Sequence, residues 1–414
     1  MMEKIKVYIF NGACRAAAYG IGTYINVLKE VLKKSNIDFC VVNLFEKCSE
    51  IKESTEKGCH TIDIPYVRFN NLNSQKHYSR NVAYLLKEFI HEDKDTKLVF
   101  HLNFMTDPDF VSSLRKMFTH CKVVLVAHYT NWSFELMGDE EKLQKIWNKK
   151  PRTRNVFEKQ IIQSLKTDIR MINKVDKLVC VAEHTLRTFR RFTEIDHHKA
   201  VVINNALQDE YQDIGHDAKM KLREKYRIAP DEKVLLYVGR LDAVKGISSL
   251  LEAFGNVVKV HPEVRLFLLG DGDYTSWLQC AKDNWARISF TGHLEKEQVC
   301  DFYKMADLGI VSSIHEEFGL VAIEMMMHRV PIVVGDTGGL AEIVEDNFSG
   351  LKVPVCYKDE KRTLDAEVMA GKICGLLEHG EQAERIADNG RAVFLKRYNA
   401  DVFASKMLDL YQKV

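Results

Sequence analysis

Long hydrophobic runs are absent from this sequence of 414 residues. No apolar stretch approaches the ~18–20 residues that a helix needs to cross a lipid bilayer. The first residues, MMEKIKVYIF, form a strand-like pattern and lack the apolar region and cleavage site of a secretory signal peptide. We therefore expect a soluble, cytoplasmic protein, whose membrane association, if any, is peripheral contact at the inner face.

Cysteine motifs are also missing, although the chain contains ten cysteines. There is no Cys-x-x-Cys pair and no Cys/His cluster at zinc-binding spacing. Cys40, Cys121 and Cys180 lie in or beside apolar strand-like runs, where a free thiol packs as a small hydrophobic group. The cysteines therefore predict a reduced protein and not a disulfide-bonded scaffold.

A large excess of charge of one sign is missing as well, because the net charge is +1. This argues against a general polyanion binder, and we expect no nucleic-acid partner. The charge is nevertheless uneven: residues 1–210 contain 33 Lys/Arg and 26 Asp/Glu (+7), and residues 211–414 contain 26 and 32 (−6). The basic excess of the first half lies in residues 149–199, with 13 basic and 6 acidic residues.

What the chain does contain is an alternation of short β-branched runs with longer amphipathic stretches. Continuous apolar runs are typical of parallel strands that helices cover on both faces. Two successive series of such runs predict an α/β protein of two Rossmann-like domains with doubly wound parallel sheets. The predicted strands are 5–10, 39–44, 98–104, 122–128, 177–182 and 200–206, then 233–239, 264–270, 288–292, 308–313, 330–335 and 349–354.

The same pattern predicts the domain boundaries. The first domain would span residues 1–210 and the second residues 211–395, since 414 residues are too many for one ordinary core. The polar stretch 208–220 is the predicted linker. A final helical pattern, 396–414, could pack back on the first domain.

Residues that follow a strand are the candidates for a site, because ligands in open α/β sheets bind beyond the carboxyl ends of the strands. After the strand at 233–239 come Arg240 and Lys245, two cations at a helix start that suit a diphosphate. A solvated basic loop explains the same two residues without any ligand.

The stretch EEFGLVAIE, residues 316–324, follows the strand at 308–313. Gly319 frees the backbone at the helix start, where N–H groups can face a phosphate or a sugar. A phosphate would repel Glu316 and Glu324, so we expect both to accept hydrogen bonds from hydroxyl groups on either side of it. An acidic helix cap with a further surface glutamate is the alternative interpretation.

In the first half, Gly20 and Gly22 follow the first strand at a helix start and can approach a phosphate or a sugar closely. The third glycine of a dinucleotide fingerprint is replaced by Ile25, which disfavours an NAD(P)-dependent oxidoreductase. His128 ends its strand and polar residues follow it, so it is a better functional candidate than His101. A hydrogen-bonded core histidine is the alternative for each.

Two further patterns remain open. The Asp-x-Asp spacings at 107–109 and 271–273 could hold a divalent metal beside a nucleotide diphosphate, although the second equally fits a turn. The basic segment 149–177 is predicted to be helical after Pro151, with apolar residues at helical spacing from Val156 onwards. It is either a packed helix with a solvated basic face or a docking surface for an anionic acceptor or a membrane leaflet.

Three stretches of the second half resemble the donor-domain motifs of the family 4 glycosyltransferases: YVGRLDAVKGISSLLEAF, EEFGLVAIEMMMHRVPIVVGDTGGLAEIV and SGLKVP. These are retaining enzymes with the GT-B fold, in which two Rossmann-like domains face each other. In the first half the resemblance is weaker and runs through GIGTYI, His128 and INNA. There the chain departs from the family pattern at Tyr19, at Tyr129 and at residues 205–208, which bears on the acceptor and on the orientation of the sugar, and not on donor binding.

The resemblance implies a role for each candidate residue. The donor diphosphate would be bound by Arg240, Lys245, Gly20, Gly22 and Leu320. The transferred sugar would be held by Glu316, Phe318, Gly319 and His128. The ribose and base would contact Glu324, His293 and Leu294. Those that act most directly in catalysis would be Glu316, His128, Arg240 and Lys245.

The function implied is transfer of a hexose-type sugar from a nucleoside-diphosphate sugar to an acceptor hydroxyl in glycan or glycoconjugate assembly. Configuration would be retained, and no metal or other cofactor would be needed, because cations and helix N–H groups can stabilise the leaving diphosphate. The acceptor stays open among lipid-linked glycans, polysaccharides, small molecules and polypeptides. The alternatives are a metal-dependent Asp-x-Asp transferase and a non-catalytic nucleotide-sugar-binding subunit of the same fold.

Overall fold

The computed structural model describes residues 4–12, 20–67, 72–103 and 107–414. The chain divides into two compact units. The first unit is formed by residues 1–135, 140–207 and 400–414, and the second by residues 136–139 and 208–399. The short segment 136–139 therefore belongs to the second unit although its sequence neighbours belong to the first, which the sequence pattern did not predict.

The first unit is built on an eight-stranded sheet with the order β3-β4-β2-β1-β5-β6-β7-β8. All neighbouring strands are parallel except β3 and β4, which are antiparallel at one edge. The six predicted strands are present, and two further strands, β3 and β4, were not predicted. The strands are β1 (Lys4–Gly12), β2 (Asp38–Glu46), β3 (Lys52–Glu56), β4 (Cys59–Pro65), β5 (Thr96–Leu102), β6 (Cys121–Ala127), β7 (Lys177–Cys180) and β8 (Ala200–Val202).

The second unit is built on a six-stranded sheet whose neighbouring strands are all parallel, with the order β11-β10-β9-β12-β13-β14. This is the doubly wound Rossmann order. The first three strands are added toward one edge of the sheet and the last three toward the other, so the strand order reverses between β9 and β12. An antiparallel hairpin, β15–β16, was not predicted. The strands are β9 (Lys233–Val238), β10 (Val264–Leu269), β11 (Ile288–Gly292), β12 (Leu308–Val311), β13 (Ile332–Gly335), β14 (Leu351–Val353), β15 (Val355–Lys358) and β16 (Lys361–Leu364).

Helices cover both sheets, and apolar side chains from the strands form a buried core in each unit. The helices are α1 (Gly20–Lys33), α2 (Leu72–Leu85), α3 (Pro108–Met117), α4 (Asn131–Glu135), α5 (Glu140–Asn148), α6 (Val156–Lys174), α7 (Glu183–Phe192), α8 (Gly215–Lys225), α9 (Ile247–Val260), α10 (Tyr274–Ala281), α11 (Lys296–Met305), α12 (Leu320–Met327), α13 (Gly338–Ile343), α14 (Ala366–Glu378), α15 (Gly380–Arg397) and α16 (Ala400–Lys413). Within the described parts of the chain, no helix combines the length and apolar character required to cross a membrane.

Two predictions about helices need correction. The predicted linker 208–220 is partly helical, because α8 begins at Gly215. The basic segment is helical after Pro151, as predicted: a 3₁₀ turn spans Pro151–Thr153, and α6 begins at Val156 with Asn155 as its capping residue. Val156 was assigned to the apolar face but its side chain is 73% exposed, since it precedes the first buried turn.

The last helix, α16, packs on α1 within the first unit. The hydroxyl of Tyr411 is 2.8 Å from Nδ1 of His101, and the ring of Phe403 packs edge-on against Tyr24. The chain thus leaves the first unit after Leu207 and returns to it at Ala400. Cys40, Cys121 and Cys180 are buried and form no disulfide, as predicted.

Candidate active site

The predicted diphosphate loop of the second unit lies at the point where the strand order reverses. β9 and β12 are neighbours in the sheet. The loops that follow the carboxyl ends of these two strands are joined by hydrogen bonds. The N–H of Ile314 donates to the carbonyl of Val244 at 2.8 Å, and the Ser312 hydroxyl donates to the carbonyl of Lys245 at 2.9 Å. A reversal point is where open α/β sheets bind ligands.

Gly246 is the residue that permits this close approach. It precedes α9 and has φ +66°, in the left-handed region that glycine favours. A Cβ atom at this position would lie 1.9 Å from the carbonyl oxygen of Ser312. Any larger residue would force the two loops apart.

Lys245 and Glu316 are brought into direct contact by these two loops. The ammonium nitrogen of Lys245 is 2.5 Å from Oε2 of Glu316, and the two side chains are only 17% and 21% exposed. The Ser313 hydroxyl donates to the same carboxylate oxygen at 3.0 Å. Within the described part of the chain, Oε1 of Glu316 makes no hydrogen bond, so it is the oxygen left to accept one from a ligand.

The charge state of Glu316 follows from these contacts. Burial raises the pKa of its carboxyl group, but the nearby Lys245 ammonium and the hydrogen bonds from Lys245 and Ser313 outweigh burial. The pKa therefore lies below its ordinary value. The side chain is a carboxylate at neutral pH and can accept hydrogen bonds but not donate them.

Arg240 is in the same loop as Lys245, between β9 and α9. One of its terminal guanidinium nitrogens is 3.1 Å from a carboxylate oxygen of Asp242, and the side chain is about one-third exposed. The hydroxyl of buried Tyr237 donates a hydrogen bond to the backbone carbonyl of Arg240 at 2.7 Å. This contact fixes the backbone of Arg240 while its guanidinium group remains accessible.

The Phe-Gly-Leu turn is shaped largely by packing within the protein. Phe318 is buried, and α12 begins at Leu320 after Gly319, which has φ +115°. A Cβ atom on Gly319 would lie 2.6 Å from the side chain of Leu340. A Cβ atom on Gly339 would lie 2.2 Å from the carbonyl oxygen of Phe318. The two glycines therefore bring α12 and α13 together, independently of any ligand.

Glu324 lies on α12, one helical turn after its start. Its carboxylate accepts a hydrogen bond from the Tyr303 hydroxyl at 2.7 Å. Burial raises the pKa of Glu324, and the contact with Tyr303 offsets only part of this effect. The structure therefore gives the two glutamates of the 316–324 stretch, which are both half-buried, different partners: a lysine for Glu316 and a tyrosine for Glu324.

His293 and Leu294 lie in the loop between β11 and α11. His293 is exposed, and its backbone N–H donates to the Asp271 carboxylate at 3.1 Å. That carboxylate also accepts a hydrogen bond from Tyr274, and Asp273 caps α10. Both carboxylates of this Asp-x-Asp spacing therefore accept hydrogen bonds from neighbouring groups of the protein.

The other Asp-x-Asp spacing has a similar role. Asp107 caps α3 by accepting the backbone N–H groups of Asp109 and Phe110. Among the described residues, no group of three or more His, Cys, Asp or Glu side chains is arranged to hold a metal ion.

Comparison with known proteins agrees with this architecture. Residues 18–211 match the family described as Glycosyltransferase Family 4, and residues 218–393 match Glycosyl transferases group 1. The chain belongs to the family 4 glycosyltransferases. Each of the two matches lies mainly in one of the two units, and the fold is GT-B.

Individual relatives are distant. The α-D-kanosaminyltransferase of Streptomyces kanamyceticus is 24% identical over 59% of this chain and 62% of its own length. A glycogen synthase of Mycobacterium tuberculosis is 29% identical over 45% of this chain and 43% of its own length. The chain thus matches roughly half the length of such curated relatives.

Solved structures extend the likeness over the whole chain. Sucrose-phosphate synthase from Thermosynechococcus elongatus aligns over 99% of both chains with a TM-score of 0.76 and 19% identity. The Anabaena HepE structure in complex with UDP and glucose aligns over 100% of both chains with a TM-score of 0.71 and 16% identity. At these identities the likeness concerns the fold.

The first unit of this family 4 glycosyltransferase holds the remaining predicted residues. α1 begins at Gly20 and contains Gly22 in its first turn. His128 follows β6 directly, is partly buried, and its Nε2 lies 2.9 Å from the Asn103 side-chain oxygen. His101 is fully buried between Tyr24 and Tyr411, so it is a hydrogen-bonded core histidine.

Three side chains that hydrogen-bond to predicted residues were not predicted from the sequence: Ser313 on Glu316, Tyr303 on Glu324 and Asn103 on His128. Ser313 and Asn103 lie just after a strand, so the strand-end rule could have selected them. Tyr303 is on α11, and nothing in the sequence links it to Glu324.

Proposed function

We propose that this protein is a retaining, metal-independent glycosyltransferase that transfers a hexose-type sugar from a nucleoside-diphosphate sugar to an acceptor hydroxyl. The observation that carries the proposal is the contact between Lys245 and Glu316 at the reversal of strand order, with one carboxylate oxygen left unbonded among the described residues. A cation for phosphate and a carboxylate for hydroxyls, side by side, suit a ligand that has both groups.

Each charged group has a specific task in this proposal. Arg240 and Lys245 bind the diphosphate and stabilise the negative charge that develops as it leaves. Glu316 accepts a hydrogen bond from a sugar hydroxyl through Oε1 and stabilises positive charge near the anomeric carbon. Glu324 accepts hydrogen bonds from the ribose hydroxyls.

The reaction we propose retains the anomeric configuration by attack on the same face. The bond between the anomeric carbon and the phosphate oxygen breaks while the acceptor oxygen bonds to that carbon. The acceptor's hydroxyl proton passes to the leaving phosphate oxygen, so no separate protein base is needed. Metal independence is supported by the roles of Asp107, Asp271 and Asp273 in capping helices and loops.

UDP-sugars are the first donors to test. The structures of HepE in complex with UDP and with UDP-glucose share the fold of this chain, which supports uridine as the base. Lipid-linked glycans, polysaccharides, small molecules and polypeptides all remain candidate acceptors.

Calorimetric titration of UDP, GDP and ADP, followed by the corresponding nucleotide-sugars, tests the donor site. We expect Arg240→Ala and Lys245→Ala each to weaken binding of the preferred nucleotide roughly 10–100-fold, as expected for lost charged hydrogen bonds. Lys358→Ala is the matched control, because Lys358 pairs with Glu252 on the surface. This variant should bind the nucleotide as tightly as the unaltered protein. Unchanged binding in Arg240→Ala and Lys245→Ala would refute the diphosphate site.

The main competing function is nucleotide-sugar binding without catalysis. Slow hydrolysis of the bound donor, lost in Glu316→Ala while nucleotide binding persists, would distinguish an enzyme from a binding subunit. Binding without hydrolysis or transfer to any acceptor class would favour the subunit.

Peripheral membrane contact is a further part of the proposal. Val156 and Phe157 at the start of α6 are 73% and 37% exposed, and Lys150 and Arg152 beside them are exposed as well. Apolar side chains flanked by cations suit the interface of an anionic membrane. We expect co-sedimentation with vesicles containing anionic lipid, reduced in Val156→Ser/Phe157→Ser and unchanged in Leu395→Ser, an exposed leucine on α15. Equal co-sedimentation of all variants would contradict this.

A further inference from the structure

A buried chain of hydrogen bonds connects the backbone of β1 to His128. Asn103, which follows β5, is only 3% exposed. Its amide nitrogen donates to the carbonyl oxygen of Phe10 at 3.2 Å. Its side-chain oxygen lies 2.9 Å from Nε2 of His128.

The chemistry of these groups fixes the direction of both hydrogen bonds. A backbone carbonyl can only accept, so the NH₂ group of Asn103 must be the one that faces Phe10. The oxygen of the amide then faces His128, and because that oxygen also only accepts, Nε2 of His128 must carry a hydrogen. In a neutral imidazole the other nitrogen, Nδ1, is consequently an acceptor.

The surroundings of the ring keep it neutral and fixed in orientation. Burial lowers the pKa of His128 to about 3, and the neighbouring His101 ring adds to the effect. The Tyr24 ring packs edge-on against His128 with a centroid separation of 4.6 Å. Among residues 4–12, 20–67, 72–103 and 107–414, none makes a hydrogen bond to Nδ1 of His128.

We propose that Asn103 is a positioning residue that holds His128 as the Nε2–H tautomer and so reserves Nδ1 to accept a hydrogen bond from a carbohydrate hydroxyl. This rests on the proposed function in so far as the ligand is a sugar. His128 then acts as a neutral acceptor, and neither as a proton donor nor as a cation for the diphosphate.

The tautomer can be observed directly by ¹⁵N NMR of the histidine ring nitrogens in the full-length protein at neutral pH. We expect a protonated Nε2 and an unprotonated Nδ1 for His128, with the assignment confirmed by loss of the signals in His128→Gln. Addition of UDP-glucose should shift the Nδ1 resonance while Nε2 stays protonated. An Nδ1–H ring, or an average of both tautomers, would overturn the proposal.

Two variants test whether Asn103 is the cause. In Asn103→Leu the ring loses its fixed acceptor, so we expect a mixture of tautomers and about a tenfold lower kcat for donor turnover. In Asn103→Asp an acceptor for Nε2–H remains, so we expect the Nε2–H tautomer to be retained and the titration of His128 to move to higher pH. This second variant keeps the test valid if the leucine variant folds poorly.

Asn204→Leu is the matched control, since the Asn204 amide also donates to a backbone carbonyl after a strand, that of Val181 at 2.9 Å. It should leave the tautomer of His128 unchanged. A pure Nε2–H tautomer in Asn103→Leu would overturn the role of Asn103. A wild-type protein with the expected tautomer that binds no nucleotide-sugar would instead contradict the proposed function alone.

Discussion

Glu316 and Glu324 lie on one short stretch but have opposite shifts in pKa. Burial raises the pKa of both, yet the Lys245 ammonium outweighs it at Glu316, whereas Tyr303 only partly offsets it at Glu324. Glu316 therefore stabilises the folded state above its ordinary pKa of 4.5, and this contribution is lost as pH falls through the lower folded value. Ionised Glu324 destabilises the fold, and acidification through its raised pKa removes that penalty.

Replacement of each carboxylate by its amide should therefore act in opposite directions on stability. Glu316→Gln leaves Lys245 without its counter-charge, so we expect it to lower the free energy of unfolding at pH 7 by about 1–3 kcal/mol. Glu324→Gln can still accept a hydrogen bond from Tyr303 and removes a half-buried, partly desolvated charge, so we expect equal or higher stability. Thermal denaturation at pH 7 and pH 4 measures both. The two effects should shrink at pH 4, and equal destabilisation by both variants at pH 7 would contradict the assignment.

The loops after β9 and β12 function as a single element, because Gly246 lets them touch. Gly246→Ala would bring a Cβ atom to 1.9 Å from the Ser312 carbonyl at a backbone position with φ +66°. We expect the free energy of unfolding to fall by about 1–3 kcal/mol, because this contact can be relieved only if the backbone of one loop moves. We also expect weaker nucleotide binding, because Lys245 and Glu316 would move apart.

Gly375→Ala is the control for that experiment. Gly375 lies inside α14, and a Cβ atom there would meet nothing within 4 Å. Alanine is a better helix former, so this variant should be neutral or more stable by up to about 1 kcal/mol. Equal stability and nucleotide binding in both variants would show that the loop contact is not constrained by Gly246.

The strands that the sequence predicted are those with continuous apolar runs. All six strands of the second sheet were predicted, because each contains a short apolar run, and all but β11 are mostly buried. β3 was missed because all five of its residues are exposed and polar, so only its pairing with β4 makes it a strand. The hairpin β15–β16 was missed because each of its strands has only four residues and Leu364 is the one that is fully buried.

The candidate site could be predicted only in part. Arg240, Lys245 and Glu316 follow from the rule that sites lie after strands, but the contact between Lys245 and Glu316 that the structure shows was not predicted. The orientation of their atoms could not be predicted, because it depends on partners distant in sequence. Asn103 and His128 are an example, since they meet only once β5 and β6 pair in the sheet.

At the scale of the whole molecule, the two units have separate cores, although the chain passes between them more than once. The apolar cluster built on β9, β10 and β12 contains no residue of α16. In contrast, α16 buries Phe403, Met407, Leu410 and Tyr411 within the first unit. The final helix should therefore determine the stability of the first unit and not that of the second.

A variant that ends at Asn399 tests this division. Removal of four large buried side chains, at about 1.5–3 kcal/mol each, approaches the entire stability of a typical domain, about 5–15 kcal/mol. We expect hydrogen exchange to show lost protection in β1, β5 and β6, while β9, β10 and β12 remain protected and nucleotide binding persists. Lys406→Ala, on the exposed face of α16, should change neither unit. Parallel loss of protection in both sheets would instead mean that the two units unfold together, so that the second unit depends on the core of the first.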